Sequence, residues 1–176
     1  MRRLLIAATA VLLGGMATAA QRPADPAACL QAFRNYDSAV WLYPDNAWNE
    51  DGPLLRADVS RAAQALIRGD CLTRTADIAD LPALAQRLAP FAIVDSGPAI
   101  SPATVELGIV TGFMDEYAVT AFFRGLGYRS RGVGAQTLGR RMFIGPFTSQ
   151  GALDQALEVA RQAGFIAPHV APRVRF

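Results

Sequence analysis

The chain contains no lysine; all 17 of its basic residues are arginine, set against 15 acidic residues in 176. It has one histidine and two cysteines, and its acidic residues form no dense cluster. Ser and Asp are present, but a single His on a late predicted strand suggests no Ser-His-Asp triad. Two distant Cys and one His leave no spaced ligand set for a metal centre. No G-x-S-x-G, H-E-x-x-H, Walker or G-x-G-x-x-G arrangement is present. Gly132-Val133-Gly134 falls in a predicted hairpin, away from any strand-to-helix turn. Strong net charge is missing too. If residues 1–20 are removed, 15 Arg face 15 acids and the charge is zero, which excludes a strongly basic nucleic-acid binder. No apolar run is long enough for repeated membrane crossing. Disorder is excluded by a 52% hydrophobic content with 18% charged residues. The composition therefore leaves little material for an enzyme, and no cofactor, metal or nucleic-acid partner is expected.

What is present begins with a leader. Residues 1–20 carry Arg2 and Arg3, an apolar stretch from Leu4 to Leu13, and Ala17-Thr18-Ala19, the pattern of a cleaved export signal. Its apolar run is short for a membrane span, so no stable span is expected after processing. No Cys stands at the cleavage point to take a lipid. Export to a bacterial periplasm follows. In that setting Cys29 and Cys71, 42 positions apart, are expected to pair. A redox or metal pair is the alternative.

The organisation along the chain is expected to be α+β. Residues 21–94 read as a small helical domain. Asp25-Pro26 suits a helix start, and Cys29, Leu30, Phe33, Tyr36, Val40 and Trp41 recur at helical spacing to about Trp41. Tyr43 to Pro53 reads as a loop. A second helix is predicted from about Leu55 to Arg68, with Gly69 as its C-terminal stop, and a third from about Asp80 to Leu88. The predicted Cys29–Cys71 disulfide staples the first helix to the end of the second. Residues 95–103, rich in Pro and Gly, read as a linker. Charge changes sign there: residues 21–103 carry 7 Arg and 10 acids, residues 104–176 carry 8 Arg and 5 acids.

Residues 104–176 contain an internal repeat. Gly108, Thr111, Arg124, Gly127 and Tyr128 recur 37 positions later as Gly145, Thr148, Arg161, Gly164 and Phe165. Each copy reads as strand, helix, glycine stop, aromatic and strand. Val105, Leu107 and Ile109 alternate as in a strand, and Met142 and Ile144 alternate with Phe143. Thr111 is placed to cap one helix, and Thr148 or Ser149 the other. The sum is β-α-β-β-α-β, a four-stranded antiparallel sheet with two helices on one face and the other face open to bind something.

Val105-Glu106-Leu107-Gly108, the Ile144-Gly145-Pro146-Phe147 motif before Thr148-Ser149, and the Gly127-Tyr128 and Gly164-Phe165 helix stops resemble the signatures of the SPOR (sporulation-related repeat) domain. The resemblance covers about residues 103–172. It implies binding of peptidoglycan glycan strands stripped of stem peptides, through the open sheet face, and targeting to the division septum. Glu106, Ile109, Arg141, Phe143 and Arg131 are the glycan-binding candidates it places on that face. An Arg fork would fix orientation and an aromatic ring would supply contact area.

The sequence departs from the family at Glu106, where Gln is usual, at Ile109, where a small residue is common, and at Gly139, where some members place a large aromatic. These departures motivate the alternative: a periplasmic interaction or scaffold module, with periplasmic or divisome proteins as partners, that keeps the fold and has lost glycan binding. Each candidate also has a plain structural role open to it. Arg141 and Arg131 read equally as solvated strand residues, Glu106 as a local ion-pair partner of Arg141, and His169 as structural. Asp45, Glu50 and Asp51 read as turn residues. Trp41, Tyr43 and Trp48 read as helical core or as a contact surface.

Overall fold

The computed structural model describes residues 24–46, 50–74, 77–88, 96–111, 113–133 and 138–171. The predicted leader, Trp48 and residues 89–95 lie outside these ranges. The elements in chain order are α1 (Pro26–Asn46), α2 (Gly52–Arg68), α3 (Leu81–Leu88), β1 (Ala99–Val110), α4 (Phe113–Gly125), β2 (Ser130–Val133), β3 (Arg140–Ser149), α5 (Gln150–Gln162) and β4 (His169–Val170). The fold is α+β, and Cys29 and Cys71 are joined in a disulfide that ties α1 to the end of α2. That bond fits an oxidising, extracytoplasmic compartment. Among the described residues no helix is long and apolar enough to cross a membrane.

The four strands form one antiparallel sheet in the order β2-β3-β1-β4. This is the split βαβ arrangement that the repeat predicts. The 37-residue repeat is visible in the backbone. Gly127 and Gly164 both take positive φ, 89° and 99°, just past α4 and α5. Backbone bonds from Tyr128 N to Phe123 O and from Phe165 N to Ala160 O close both helix ends alike. Gly164 is confined twice over, because a Cβ there would stand 2.1 Å from the Asp77 carbonyl oxygen. Gly164→Ala is expected to destabilise by about 2–3 kcal/mol. Gly125→Ala, where an added Cβ meets nothing within 4 Å, is the control and should be near neutral. Thermal unfolding of the two variants checks this.

One sheet face packs against α4 and α5. Val105, Leu107, Val110, Met142 and Ile144 meet Val119, Phe122, Phe123, Ala156, Val159 and Ala160 there. Leu81, Leu84 and Leu88 of α3 join the same core. The predicted third helix of an N-terminal unit therefore packs with the second half of the chain. β1 begins at Ala99, inside the segment read as a linker. Ser149 caps α5 as expected, its hydroxyl accepting from Ala152 N at 3.4 Å. Thr111 has another use: its backbone N–H donates to the Thr73 carbonyl at 3.2 Å, and Thr73 N donates to Ile109 O at 2.9 Å. Thr73 thus forms a parallel bridge to the end of β1.

The second sheet face is the expected binding surface, and it is not open. α1 lies across it. Cys29, Phe33, Leu66, Cys71, Ile109 and Ala167 form a second buried core between α1, α2 and the sheet. Phe33 stacks at 5.9 Å on the His169 ring. A Cβ on Gly108 would lie 3.5 Å from the Phe33 ring. Gly69 caps the C-terminus of α2 as predicted, but without the left-handed backbone of a glycine stop. Gly69 has an ordinary φ of −79°, and Asp70 takes the positive one, 52°. Gly69 is needed for space instead, since a Cβ would come within 2.9 Å of Cys71 Sγ.

Candidate functional site: a buried ion cluster under α1

The side chains at the junction follow from strand phase. β1 and β3 pair directly at Glu106 and Phe143, so these two share a face, and Arg141 lies two residues from Phe143 on the same side. A register shift between Glu106 and Gly108 inserts one residue, with Gly108 at φ 133°. The bulge moves Ile109 to the Glu106 side, opposite Arg141, and off the Val105–Leu107 face with which it was expected to alternate. Arg131 pairs with Phe143, and His169 of β4 with Glu106. The sheet therefore brings Glu106, Ile109, Arg131, Arg141 and Phe143 to one face.

Burial is where the expectation fails. Glu106 and Ile109 are 0% exposed and Phe143 is 1% exposed, because α1 covers them. Only Arg131 of the five is exposed, at the outer strand. Phe33, Tyr36 and Asp37 of α1 fill that surface. Gly139, read as a missing stacking platform, has a structural reason: at φ 114° a Cβ would come within 2.4 Å of the Val110 carbonyl oxygen. No side chain fits there. Trp41 is 44% exposed and does not belong to a helical core.

The junction holds four ionisable groups. The Arg141 fork donates from Nε to Glu106 Oε1 at 3.0 Å and from Nη2 to Glu106 Oε2 at 2.9 Å. Nη2 also donates to Asp37 Oδ1 on α1. The guanidinium lies 5.0 Å over the Phe143 ring and 6.0 Å from the Tyr36 ring. His169 Nε2 stands 3.7 Å from Asp37 Oδ2 and 3.8 Å from Glu106 Oε2. Its Nδ1 is 3.0 Å from the Ala167 carbonyl oxygen, which only accepts, so Nδ1 carries a hydrogen and donates it. Asp37 Oδ2 and His169 Nε2 are buried with no hydrogen-bond partner.

Environment shifts these groups. Burial raises the Glu106 carboxyl to about 7, while hydrogen bonds and charge from Arg141 pull the other way and Asp37 adds to the rise. His169 is pushed down by burial, but the Asp37 carboxylate, the Ala167 carbonyl and the Glu106 charge carry it above its ordinary value. Burial raises the Tyr36 phenol as well. Among the described residues, Asp37, Glu106 and His169 are the one group of three or more His, Cys, Asp or Glu side chains whose donor atoms converge, all within 4.8 Å of one another. No metal set is legible along the chain because the three come from α1, β1 and β4.

Asp37 is the residue that sequence reading missed. Its signal was available: it follows Cys29 and Phe33 in steps of four, putting a carboxylate on the stripe that α1 buries. No family model matches the chain, and no match is found among curated proteins or solved structures.

Proposed function

We propose that the chain is an exported, non-catalytic interaction module, a scaffold of SPOR-like fold in which the surface that would serve glycan strands seats the chain's own α1 instead. One observation carries this reading: Arg141 is turned to Asp37 and Glu106 beneath α1, and its side chain is only 15% exposed. The residues resembling the SPOR signatures, the predicted leader and the disulfide support the family and a periplasmic setting. The departures at Glu106 and Ile109 then have a physical sense. Glu106, which only accepts, answers the Arg141 fork, and Ile109 fills the core with Phe33.

A partner surface is offered where α1 ends and α2 begins. Trp41, Leu42 and Leu54 are 44%, 49% and 68% exposed. An apolar group of this kind on an exported helical pair suits a periplasmic or division-complex protein. Two assays test the reading. The oxidised protein is expected to remain in the supernatant with sacculi stripped of stem peptides; retention on them would overturn the proposal. Trp41→Ser/Leu54→Ser is expected to lose a partner that the wild-type chain recovers from periplasmic extract. Identical recovery by both would refute that surface.

A second reading is favoured by one observation, that Glu106, Ile109, Arg141 and Phe143 do share a face. In it the sheet binds glycan only after α1 is released.

A further inference from the structure

We propose that Asp37, Glu106 and His169 form a divalent-cation site, of the kind that takes Zn2+, at the junction of α1 with the sheet. The donor set is one imidazole nitrogen and two carboxylate oxygens, which suits a borderline first-row ion. Such an ion holds N and O ligands at about 2.0–2.2 Å, so donors around a tetrahedral ion lie about 3.4 Å apart. The observed Nε2 to Oδ2 and Oε2 separations are 3.7 and 3.8 Å, and all three donors lie within 4.8 Å, so binding would draw the three together.

Two further features point to a ligand rather than to a closed ion pair. Asp37 Oδ2 and His169 Nε2 are both buried and stand 3.7 Å apart, beyond hydrogen-bond distance, and neither has another hydrogen-bond partner. The Ala167 carbonyl holds Nδ1 as a donor, so Nε2, on the side of the two carboxylates, is the nitrogen that would give up its proton to ligate an ion. Holding an imidazole this way is the usual outer support of a metal-ligating histidine.

Arg141 positions the site and does not fill it. Its contacts fall on Asp37 Oδ1 and the two Glu106 oxygens, leaving Asp37 Oδ2 clear and a second lone pair on Glu106 Oε2. Charge sets the remaining requirement. Ligation requires both carboxyls ionised and the imidazole neutral; two carboxylates and one guanidinium then sum to −1, and a divalent ion brings this to +1. An anionic fourth ligand, such as hydroxide, would restore neutrality in a site this dry. The ion would join three elements distant in sequence and lock α1 onto the sheet.

The composition of the chain makes the test clean. Both cysteines are in the disulfide and His169 is the single histidine, so an ion held by imidazole must be held by His169. The untagged, oxidised chain, stripped with a chelator, is titrated with Zn2+ and separately with Mg2+ while the imidazole 15N resonances are followed. One Zn2+ per chain is expected, with a large shift of Nε2 and none with Mg2+. His169→Gln and Asp37→Asn are expected to weaken Zn2+ binding on the order of 100-fold. Imidazole resonances unmoved by saturating Zn2+ would overturn the site, a result that needs no variant to fold. Undiminished Zn2+ binding by His169→Gln would overturn it too, by placing the ion on surface carboxylates.

Discussion

Arg141→Met is expected to destabilise the protein by about 3–5 kcal/mol, a large part of an ordinary domain's stability. Glu106 is fully buried and Asp37 nearly so, and Arg141 donates hydrogen bonds to both. Removing it strands two carboxylates in a dry junction, and the penalty is their desolvation rather than the loss of attraction. The same logic fixes a control. Asp37→Asn/Glu106→Gln/Arg141→Met removes all three charges at similar volume and should recover most of the loss. Arg141→Lys should recover little, because one ammonium cannot reproduce the fork to Glu106 together with the reach to Asp37. Urea midpoints at unchanged slope measure each step. A loss under about 1 kcal/mol for Arg141→Met would mean that water reaches the carboxylates and that α1 is not seated as described.

That result bears on how far the amino-acid sequence alone could be read. The repeat was legible because it rests on local backbone needs: Gly127 and Gly164 must take positive φ wherever the helices pack. The Glu106, Arg141 and Phe143 face was legible from strand alternation. Ile109 was misplaced because a one-residue bulge at Gly108 reverses the phase, and alternation counted from Val105 carries straight through it. The seating of α1 was hidden for another reason. Asp37 and Arg141 are 104 residues apart, and an acid on a helix stripe reads as a solvated exception until its partner is known. The apolar positions chosen to define that stripe included Trp41, which is half exposed, and passed over Asp37, which is buried. The packing of α3 against the core of α4, α5 and the sheet was not legible, because three leucines on one side say that a helix is buried but not against what.

Opening the Cys29–Cys71 disulfide is expected to cost about 4 kcal/mol in the chain-entropy model, for a closed loop of 42 residues' separation. The damage should be local. Both cysteines belong to the core between α1, α2 and the sheet; neither belongs to the core formed by α3, α4, α5 and the inner sheet face. Cys71 lies two residues from Thr73, which is bonded into the edge of β1, so the staple fastens α1 to the sheet itself as well as to α2. In Cys29→Ser/Cys71→Ser, or after reduction, hydrogen exchange should speed in residues 26–46 and 52–68 while α4, α5 and the β1–β3 ladder stay protected. The uncovered face would then present Glu106, Ile109, Arg141 and Phe143 together. Retention of the reduced protein, and not the oxidised one, on stripped sacculi would establish glycan binding gated by α1. If α1 stays as protected without the disulfide as with it, the ion cluster alone holds the lid, and the sheet face serves no outside ligand.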